Sequence, residues 1–497
     1  MTLQEFHSIV EAQRSENGGG FIVPVHRRLS ADLLTPVSAF LALRQHSQGA
    51  FLLESVEGGE NIARYTFLGC NPYRIVRANG HDVTIEDTRS GKMSTDSESD
   101  LFEVLQRFMN EFVEVELPEL PRLRCGAVGY AGYDCVRLIE HLPHPPPDDL
   151  HLPDAIWGFY DTLAAFDRVK HQIVLIANAF VTSESNLDHV FHQAVERLHD
   201  LERDLRSPFE NPESVRLDSE HLTSNVERED FESIVKEAKK LIYEGDIFQV
   251  VLSQRFSLSF KGDSFNLYRA LRQINPSPYL FYLELDEVTL IGSSPEVLVH
   301  VEGQRAELLP IAGTRPRGKT LKEDESLAED LLSDSKERAE HLMLVDLGRN
   351  DLGRISKLGS VLVDRYAYIE RYSHVMHIVS AVSGELREGI NAIDVLRACF
   401  PAGTVSGAPK VRAMEIIDEL ESTRRGVYAG AVGYIGFSGN MDMCIAIRTM
   451  VVQKDQIYIQ AGAGIVADSV PALEFEETKN KAKALQQALL AAADGIL

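Results

Sequence analysis

The sequence predicts a mixed α+β fold built from two related halves, and three observations point to it. Strand-like and helix-like runs alternate along the chain without the regular βαβ rhythm of a doubly wound sheet. At 497 residues with 44% apolar content, the chain can bury a large core; length alone would suggest about three domains, a prior that overcounts when sheets are large. Two glycine-rich segments, GAVGYAGYD (Gly126 to Asp134) and GAVGYIGF (Gly430 to Phe437), share a Gly-x-x-Gly-Tyr-x-Gly-aromatic pattern. Glycine inside a strand marks a bulge or a close backbone approach, so both are expected as core strands of one large twisted sheet assembly.

Two polar, proline-bearing stretches punctuate the chain, His141 to Asp149 and Ser207 to Ser224. Only the second reads as a junction, dividing an N-terminal region (1–224), intertwined with the core, from a C-terminal domain (225–497) expected to carry the chemistry. Just beyond it, Ser224 and Glu227 have capping-box spacing, and Phe231, Ile234, Val235, Ala238, Leu241 and Ile242 form a stripe at helical period. Gly245 is expected to end that helix, and a strand from Ile247 to Phe256 to follow.

Fifty Lys and Arg against 75 Asp and Glu give a formal charge of −25. Such a field repels nucleic acid and anionic membranes at long range, so neither is an expected partner. It also disfavours an anionic substrate, which must then be met by local cations, backbone amides or a metal. The N-terminus has no basic stretch leading into an apolar run, and no segment approaches a membrane span, so a cytoplasmic protein is expected. Five scattered cysteines, without CxxC pairs, read as reduced core thiols.

The carboxylates are the first chemical signal. Glu337 and Glu340 stand at i and i+3 in a helical pattern, as do Glu474 and Glu477, with Lys481 four residues beyond on the same face. One such pair reads as an ordinary solvated acidic face; two pairs can form one site. Four carboxylates converging on a point repel one another unless a cation sits between them, and all-oxygen ligation suits Mg²⁺, which retains several waters. The glycine-rich run Gln460-Ala-Gly462-Ala-Gly464 at the end of an alternating strand lets backbone amides approach an anion. Arg448, in the apolar run CIAIRTMVV, is expected in a core strand, where its guanidinium suits a carboxylate. Glu296, His374, His377, Thr404 and Tyr428 are further candidates. Composition and spacing lead to a Mg²⁺-dependent enzyme acting on a small carboxylate, and no further.

The strings SSPEVLV, PIAGTRPRG, ERAEHLMLVDLGRNDLGRI, FPAGTVSGAPK, AIRTM, QAGAGIV and EFEETKNKAKA together resemble the chorismate-utilising enzymes over roughly residues 225 to 490. The resemblance implies that family's fold of layered mixed sheets and helices. It implies that Glu340 and Glu477 contact Mg²⁺ directly, with Glu337 and Glu474 acting largely through its waters. Gly313, Thr314, Tyr428, Arg448, Gly462, Gly464, Lys481 and Thr404 would hold the substrate, Thr404 close to the chemistry. Glu296 resembles the general acid that protonates the departing C4 hydroxyl, its pKa raised by burial beside other carboxylates. His377 matches a histidine near the ring, assigned to the later elimination of pyruvate.

Gln249 stands where water-using relatives carry a lysine base, and Ala312 where relatives that make 4-amino-4-deoxychorismate typically read PIKGT. Ammonia attack at C2 and aromatisation to anthranilate are therefore expected. The alternatives are a chain that stops at 4-amino-4-deoxychorismate and a non-catalytic, tryptophan-binding subunit. Leu52-Leu53-Glu54-Ser55 and NPSPYLFY (Asn275 to Tyr282) resemble the family's tryptophan-inhibitor motifs, giving an expected site of Glu54, Ser55, Pro278, Tyr279 and Leu280, with Glu54 accepting the ammonium. No cysteine sits in the Gly-x-Cys-x-Gly elbow of an amidotransferase. A separate glutamine amidotransferase subunit is thus the expected source of ammonia, in a hetero-oligomer.

Overall fold

The computed structural model describes residues 1–16, 19–45, 47–55, 64–372 and 375–495. Among these, the strands form two sheets, one of 14 strands and one of 12. In the larger sheet the path runs from Gln249–Lys261 through Gln456–Ile465, Thr449–Gln453, Val288–Ser294 and Tyr279–Leu285 into Phe51–Glu54, Tyr65–Gly69 and the rest of the N-terminal strands. In the smaller sheet, Val297–Glu302, Met441–Ile445 and Ala431–Gly436 lead into Gly126–Ala131 and Ala155–Tyr160. Each sheet therefore contains strands from both sides of the residue 224 junction.

The sheets meet face to face across an apolar layer that includes Phe51, Phe67, Phe281 and Leu283 from one and Val128, Tyr130, Val432 and Tyr434 from the other. Helices cover the outer faces. Phe40, Phe191, Leu271 and Leu489 pack on the larger sheet; Phe102, Leu396, Val345 and Ile417 fall in the cluster beneath the smaller one. Among the described residues no helix is long and apolar enough to cross a membrane.

The two glycine-rich segments become neighbouring antiparallel strands, with Gly129 opposite Gly433 and Tyr130 opposite Val432. A Cβ on Gly433 would overlap the Asp442 carbonyl oxygen, and one on Gly129 the Ile156 carbonyl oxygen. That close approach is why glycine stands at both places. The corresponding junction in the larger sheet pairs Leu280 with Glu54 and Phe281 with Leu53, joining segments more than 200 residues apart.

Three local expectations change. The helix after the junction spans Arg228–Glu244, and its N-cap, Glu227, receives no side-chain cap bond. Ser224 Oγ bonds to the Val226 carbonyl and to Gln254 Oε1, so its hydroxyl belongs to a turn and a neighbouring strand. Gly245 does end the helix, in the left-handed conformation at φ 89°. The following strand is Gln249–Lys261, longer than expected, because Phe256, Leu258 and Phe260 continue the buried alternation past the expected stop. Arg448 lies between two strands, at φ 51°, not within one. All five cysteines are free, and four are buried.

The glycine contact predicts its own test. Gly433→Val should lower unfolding stability by about 1–3 kcal/mol, through overpacking against the Asp442–Met443 backbone. Urea denaturation reads this, and an unchanged midpoint would mean that these backbones are not held in close approach.

Candidate active site

The chain passes from one sheet to the other at two adjacent places, and the candidate site is built there. Glu296 lies on the first crossover, between Val288–Ser294 and Val297–Glu302; Arg448 lies on the second, between Met441–Ile445 and Thr449–Gln453. The crossovers are laced together: Ile445 N–H donates to the Glu296 carbonyl (3.0 Å), Ser293 N–H to the Arg448 carbonyl (3.1 Å) and Ser294 Oγ to the Ile445 carbonyl (2.7 Å). The backbones that carry Glu296 and Arg448, 152 residues apart in sequence, are thereby held together.

Glu296 is partly buried, and desolvation pushes its carboxyl up to about 7 from an ordinary 4.5, against smaller opposing effects of Thr404 and Lys481. No second carboxylate contributes, so the expectation that neighbouring acids raise it is replaced by desolvation alone. Burial also depresses the Arg448 pKa, opposed by Tyr428 and Glu477. Its Nη1 donates to the Lys481 carbonyl at 3.1 Å, and Lys481 Nζ bonds to the Gly462 carbonyl (2.9 Å) and pairs with Glu477 (2.8 Å). Tyr428, its phenol raised by burial to about 12, stands with Arg425, whose guanidinium centre is 5.5 Å from its ring centroid. A Cβ on Gly462 would come within 2.7 Å of the Tyr428 hydroxyl, and one on Gly464 within 2.5 Å of Gln249 Nε2. These two glycines thus keep a floor open beneath Tyr428 and Gln249.

The strand Ile311–Pro316 is bulged between Ala312 and Thr314, with Gly313 at φ 68°. The bulge presents the Gly313 carbonyl to His377 Nδ1 at 2.8 Å, with Thr314 Oγ1 at 3.1 Å. A carbonyl can only accept, so Nδ1 carries the proton and Nε2 is the basic nitrogen. Burial lowers the His377 pKa, with Arg448 adding to the effect, which keeps the ring neutral near pH 7. His374 lies outside the described residues.

Glu337 and Glu340 project from the helix Ser335–Gly353, Glu474 and Glu477 from Pro471–Ala493. Burial raises Glu340, and Glu337 and Glu477 both push it further; Glu474 is raised by burial and then by Glu477. Gln249 Nε2 reaches Glu340 at 3.4 Å, and Arg315 Nη1 bonds to Glu337 at 3.3 Å. The two pairs therefore face one another electrostatically. Among the described residues, however, no three His, Cys, Asp or Glu side chains close into a finished metal cage. The four carboxylates are near enough for Glu337 and Glu477 both to act on Glu340. An all-oxygen set that raises its own proton affinity still fits a hydrated divalent cation, because Mg²⁺ keeps several waters and takes few direct carboxylates.

The inhibitor motifs meet as neighbours, and a cavity between the sheets is lined there by Leu53, Ser55, Phe67, Pro278, Tyr279 and Tyr434, with Asp442 and Cys444. Glu54 and Leu280 also border it, but two expectations change. The Glu54 carboxylate is completely shielded and accepts from Tyr268 Oη (2.6 Å), Arg272 Nε (2.7 Å) and Arg168 Nη2 (3.0 Å). It is committed to an internal ion-pair cluster and is not available to a ligand's ammonium. Leu280, paired with Glu54 on the same face, packs its side chain into the helix-covered core. Asp442 is the other carboxylate on the cavity wall, and it accepts a hydrogen bond from the Tyr279 hydroxyl at 2.9 Å.

The sequence reading missed Arg425 and Glu421. They form a buried two-point ion pair (2.9 and 2.6 Å), and Arg425 also donates to the carbonyls of Val251 and Val405. One acid followed by two arginines in ESTRRGVY was the available signal, but charge next to a loop ordinarily reads as surface.

The raised Glu296 pKa carries a stability consequence. Between about pH 4.5 and 7 the folded chain holds a proton that the unfolded chain has released, so this group's contribution to stability declines as pH rises through that window. Glu296→Gln should gain stability relative to the parent between pH 5 and 8, by on the order of 3 kcal/mol. Parallel denaturation curves check it, and a pH-independent difference would refute the desolvated, protonated carboxyl.

Residues 48–487 match the family described as chorismate binding enzyme. Over 475 residues the chain is 48% identical to anthranilate synthase component 1 of Acetivibrio thermocellus, covering 94% of this chain and 95% of that protein. It is 49% identical to the protein of that name from Aquifex aeolicus over 473 residues, 94% of each chain. Among solved structures, anthranilate synthase component I from Streptococcus pneumoniae superposes with a TM-score of 0.76 at 39% identity, covering 93% of this chain and 99% of that one. With its layered sheets and the crossovers that seat Glu296 and Arg448, the chain belongs to the chorismate binding enzyme family.

Proposed function

We propose that the chain converts chorismate to anthranilate, as the Mg²⁺-dependent large subunit of a two-component enzyme of tryptophan biosynthesis. The observation that carries the reading is a Glu296 carboxyl held protonated by desolvation, within electrostatic reach of Lys481, with glutamine in place of a water-activating base at position 249. The full-length likeness to proteins called anthranilate synthase component 1 supports it and does not favour the 4-amino-4-deoxychorismate or non-catalytic readings.

Arg448, Lys481, Tyr428 and the amides around Gly462 and Gly464 hold the two substrate carboxylates, with Gly313 and Thr314 along the ring. Glu296, steadied by Thr404, gives its proton to the C4 hydroxyl as the C–O bond breaks, and water departs. The ammonia lone pair forms the C2–N bond while the ring double bond shifts. Neutral His377, its Nε2 basic, serves the later loss of pyruvate that yields the aromatic ring. Glu340 and Glu477, with Glu337 and Glu474 nearby, would hold Mg²⁺, which would supply positive charge for a substrate carboxylate that the acidic chain otherwise repels. Ammonia comes from a separate glutamine amidotransferase subunit.

Purified chain with chorismate, Mg²⁺ and ammonium should generate anthranilate fluorescence, and with glutamine only after an amidotransferase subunit is added. Glu296→Gln should retain chorismate binding and lose about 10²–10⁴ in rate. Near-normal turnover by that variant would assign proton donation to another group.

L-tryptophan is the proposed occupant of the cavity between the sheets, its indole lying among Leu53, Phe67, Pro278, Tyr279 and Tyr434, with Ser55 supplying a hydrogen bond. Ser55→Phe should abolish inhibition by millimolar tryptophan while uninhibited turnover stays within about twofold, since a remote substitution alters the inhibitor coupling of about 1–3 kcal/mol and not the chemistry. Indifference of the parent chain to tryptophan would remove this assignment.

A further inference from the structure

Close to Tyr428 lies the buried ion pair of Arg425 and Glu421, 3% and 8% exposed. The Arg425 guanidinium donates to Glu421 from Nε (2.9 Å) and Nη2 (2.6 Å), to the Val405 carbonyl from Nη1 (2.7 Å) and to the Val251 carbonyl from Nη2 (2.6 Å). Glu421 Oε1 also accepts from the Ser253 N–H (2.8 Å) and from Ser253 Oγ (2.9 Å), and Ser253 Oγ accepts from Gln460 Nε2 (2.8 Å).

Outside the pair, each of these bonds ends on a segment of the candidate site. Val405 follows Thr404 in the turn Gly403–Val405. Val251 and Ser253 lie on Gln249–Lys261, the strand that begins with Gln249, and Ser253 stands opposite Gly462 in the neighbouring strand. Gln460 precedes Gly462 by two residues on that neighbour, Gln456–Ile465. The Tyr428 N–H donates to the Arg425 carbonyl at 3.2 Å, so tyrosine and arginine share one turn. The N-terminal region braces the same turn: the Gly426 N–H donates to Asp134 Oδ2 (3.2 Å), the Arg424 N–H donates to the Pro147 carbonyl (3.0 Å), and the Tyr133 ring centroid lies 4.8 Å from the Arg425 guanidinium. The proline-bearing stretch His141 to Asp149 thereby gains a task.

A buried ion pair is expensive to desolvate and adds little to stability over an apolar pair of similar volume. Geometry is what this one supplies, since a misplacement of about 1 Å at a reacting group costs up to about 10² in rate. We propose that Arg425, clamped by Glu421, is a positioning residue that holds the Thr404 turn, the Gln249 strand, the Gly462 strand and Tyr428 in mutual register for chorismate. The proposal rests on the reading of the chain as a chorismate-to-anthranilate enzyme. Arg425 touches no reacting atom and acts through the segments it bonds. Its most direct line runs through Val405 to Thr404, whose hydroxyl favours the carboxylate form of Glu296 and lowers that pKa. The other ionisable groups around Glu296 are Lys481, which also lowers it, and Asp351 and Cys399 across a small shared cavity. Lys481 pairs with Glu477 and Asp351 with Lys410, so those influences do not run through Arg425.

Arg425→Lys keeps the positive charge beside Glu421 but gives up the planar fork, and a single Nζ cannot serve Glu421 at two points and both carbonyls as well. Glu421→Asp keeps both charges and withdraws the carboxylate by one methylene. Both variants are compared with the parent chain in Mg²⁺- and ammonium-dependent anthranilate formation well below Tm, recording kcat, KM for chorismate, the pH profile of kcat/KM, and Tm. kcat/KM should fall roughly tenfold or more, within the 10² that a small misplacement costs. Its alkaline limb, where Glu296 loses its proton, should move to higher pH, because a displaced Thr404 no longer favours the carboxylate. In a Thr404→Val background that shift should vanish, since no hydroxyl is left to displace.

A merely structural role lowers Tm and leaves kcat/KM and its alkaline limb parental, and that result in folded Arg425→Lys overturns the proposal. If Arg425→Lys does not fold, Glu421→Asp decides by the same measures. A parent chain that forms no anthranilate removes the functional reading and the positioning role with it. If the parent is active and both variants match it, only the positioning role falls.

Discussion

The close backbone approach between the two glycine-rich strands, where a Cβ on Gly126 would overlap the Ile435 carbonyl and one on Gly430 the Ala131 carbonyl, is the constraint on which the rest depends. It lets the two glycine-rich strands pair in the middle of the smaller sheet, as Phe51–Glu54 and Tyr279–Leu285 pair within the larger one. Residues flanking both junctions then share one apolar layer, with Phe281 and Leu283 on one side and Val432 and Tyr434 on the other. Once the sheets are fixed face to face, a chain passing between them has a short, rigid path. Glu296 and Arg448 occupy two such paths, and the hydrogen bonds lacing these paths are backbone-anchored. Reactive groups placed on rigid crossovers need no side-chain search to find their geometry, which is the entropic advantage of a preorganised site.

Charge at the site runs against charge on the whole. The chain carries −25, yet its cleft has to attract a dicarboxylate. Burying Arg448 strips it of competing water, and aligning Lys481 with the Gly462 carbonyl and Glu477 holds a second cation nearby. Desolvating Glu296 with no cation in direct contact keeps one carboxyl neutral. The same desolvation thus performs two opposite tasks, sharpening a positive group and silencing a negative one, according to what stands beside each. The facing glutamate pairs are the exception: their mutual repulsion persists in the protein and raises Glu340 and Glu474.

Legibility in the sequence followed locality. The acid-bearing helices, the Gly245 terminus and the identity of the site motifs were readable because spacing along a helix or within a short motif fixes a face. The equivalence of the two glycine-rich strands was readable as a repeat, but not their direct pairing, which depends on contacts some 300 residues apart. Arg448 looked like a strand residue because its flanks are apolar; the chain in fact changes sheets there, and apolar periodicity does not distinguish one continuous strand from two joined by a crossover. Ser224 looked like a cap because a capping box is a local pattern, and a nonlocal bond to Gln254 took its hydroxyl instead. Glu54 was assigned to a ligand because its three partners, Arg168, Tyr268 and Arg272, are invisible from the motif itself.

The cavity between the sheets and the acid at the crossover are joined by short stretches of ordinary strand. Tyr279, on one wall, pairs with Ser294, two residues before Glu296. Asp442 and Cys444, on the other wall, belong to the strand that pairs with Val297–Glu302, and Ile445 at its end donates to the Glu296 carbonyl. Both walls therefore terminate on the backbone that carries the acid. A ligand wedged between the sheets acts on their separation, and separation is the variable to which a crossover is most sensitive, because its length is fixed while the strands on either side are free to tilt. Spatial continuity of this kind supplies a route, whereas the strength of coupling depends on how far two arrangements of the sheets differ in free energy.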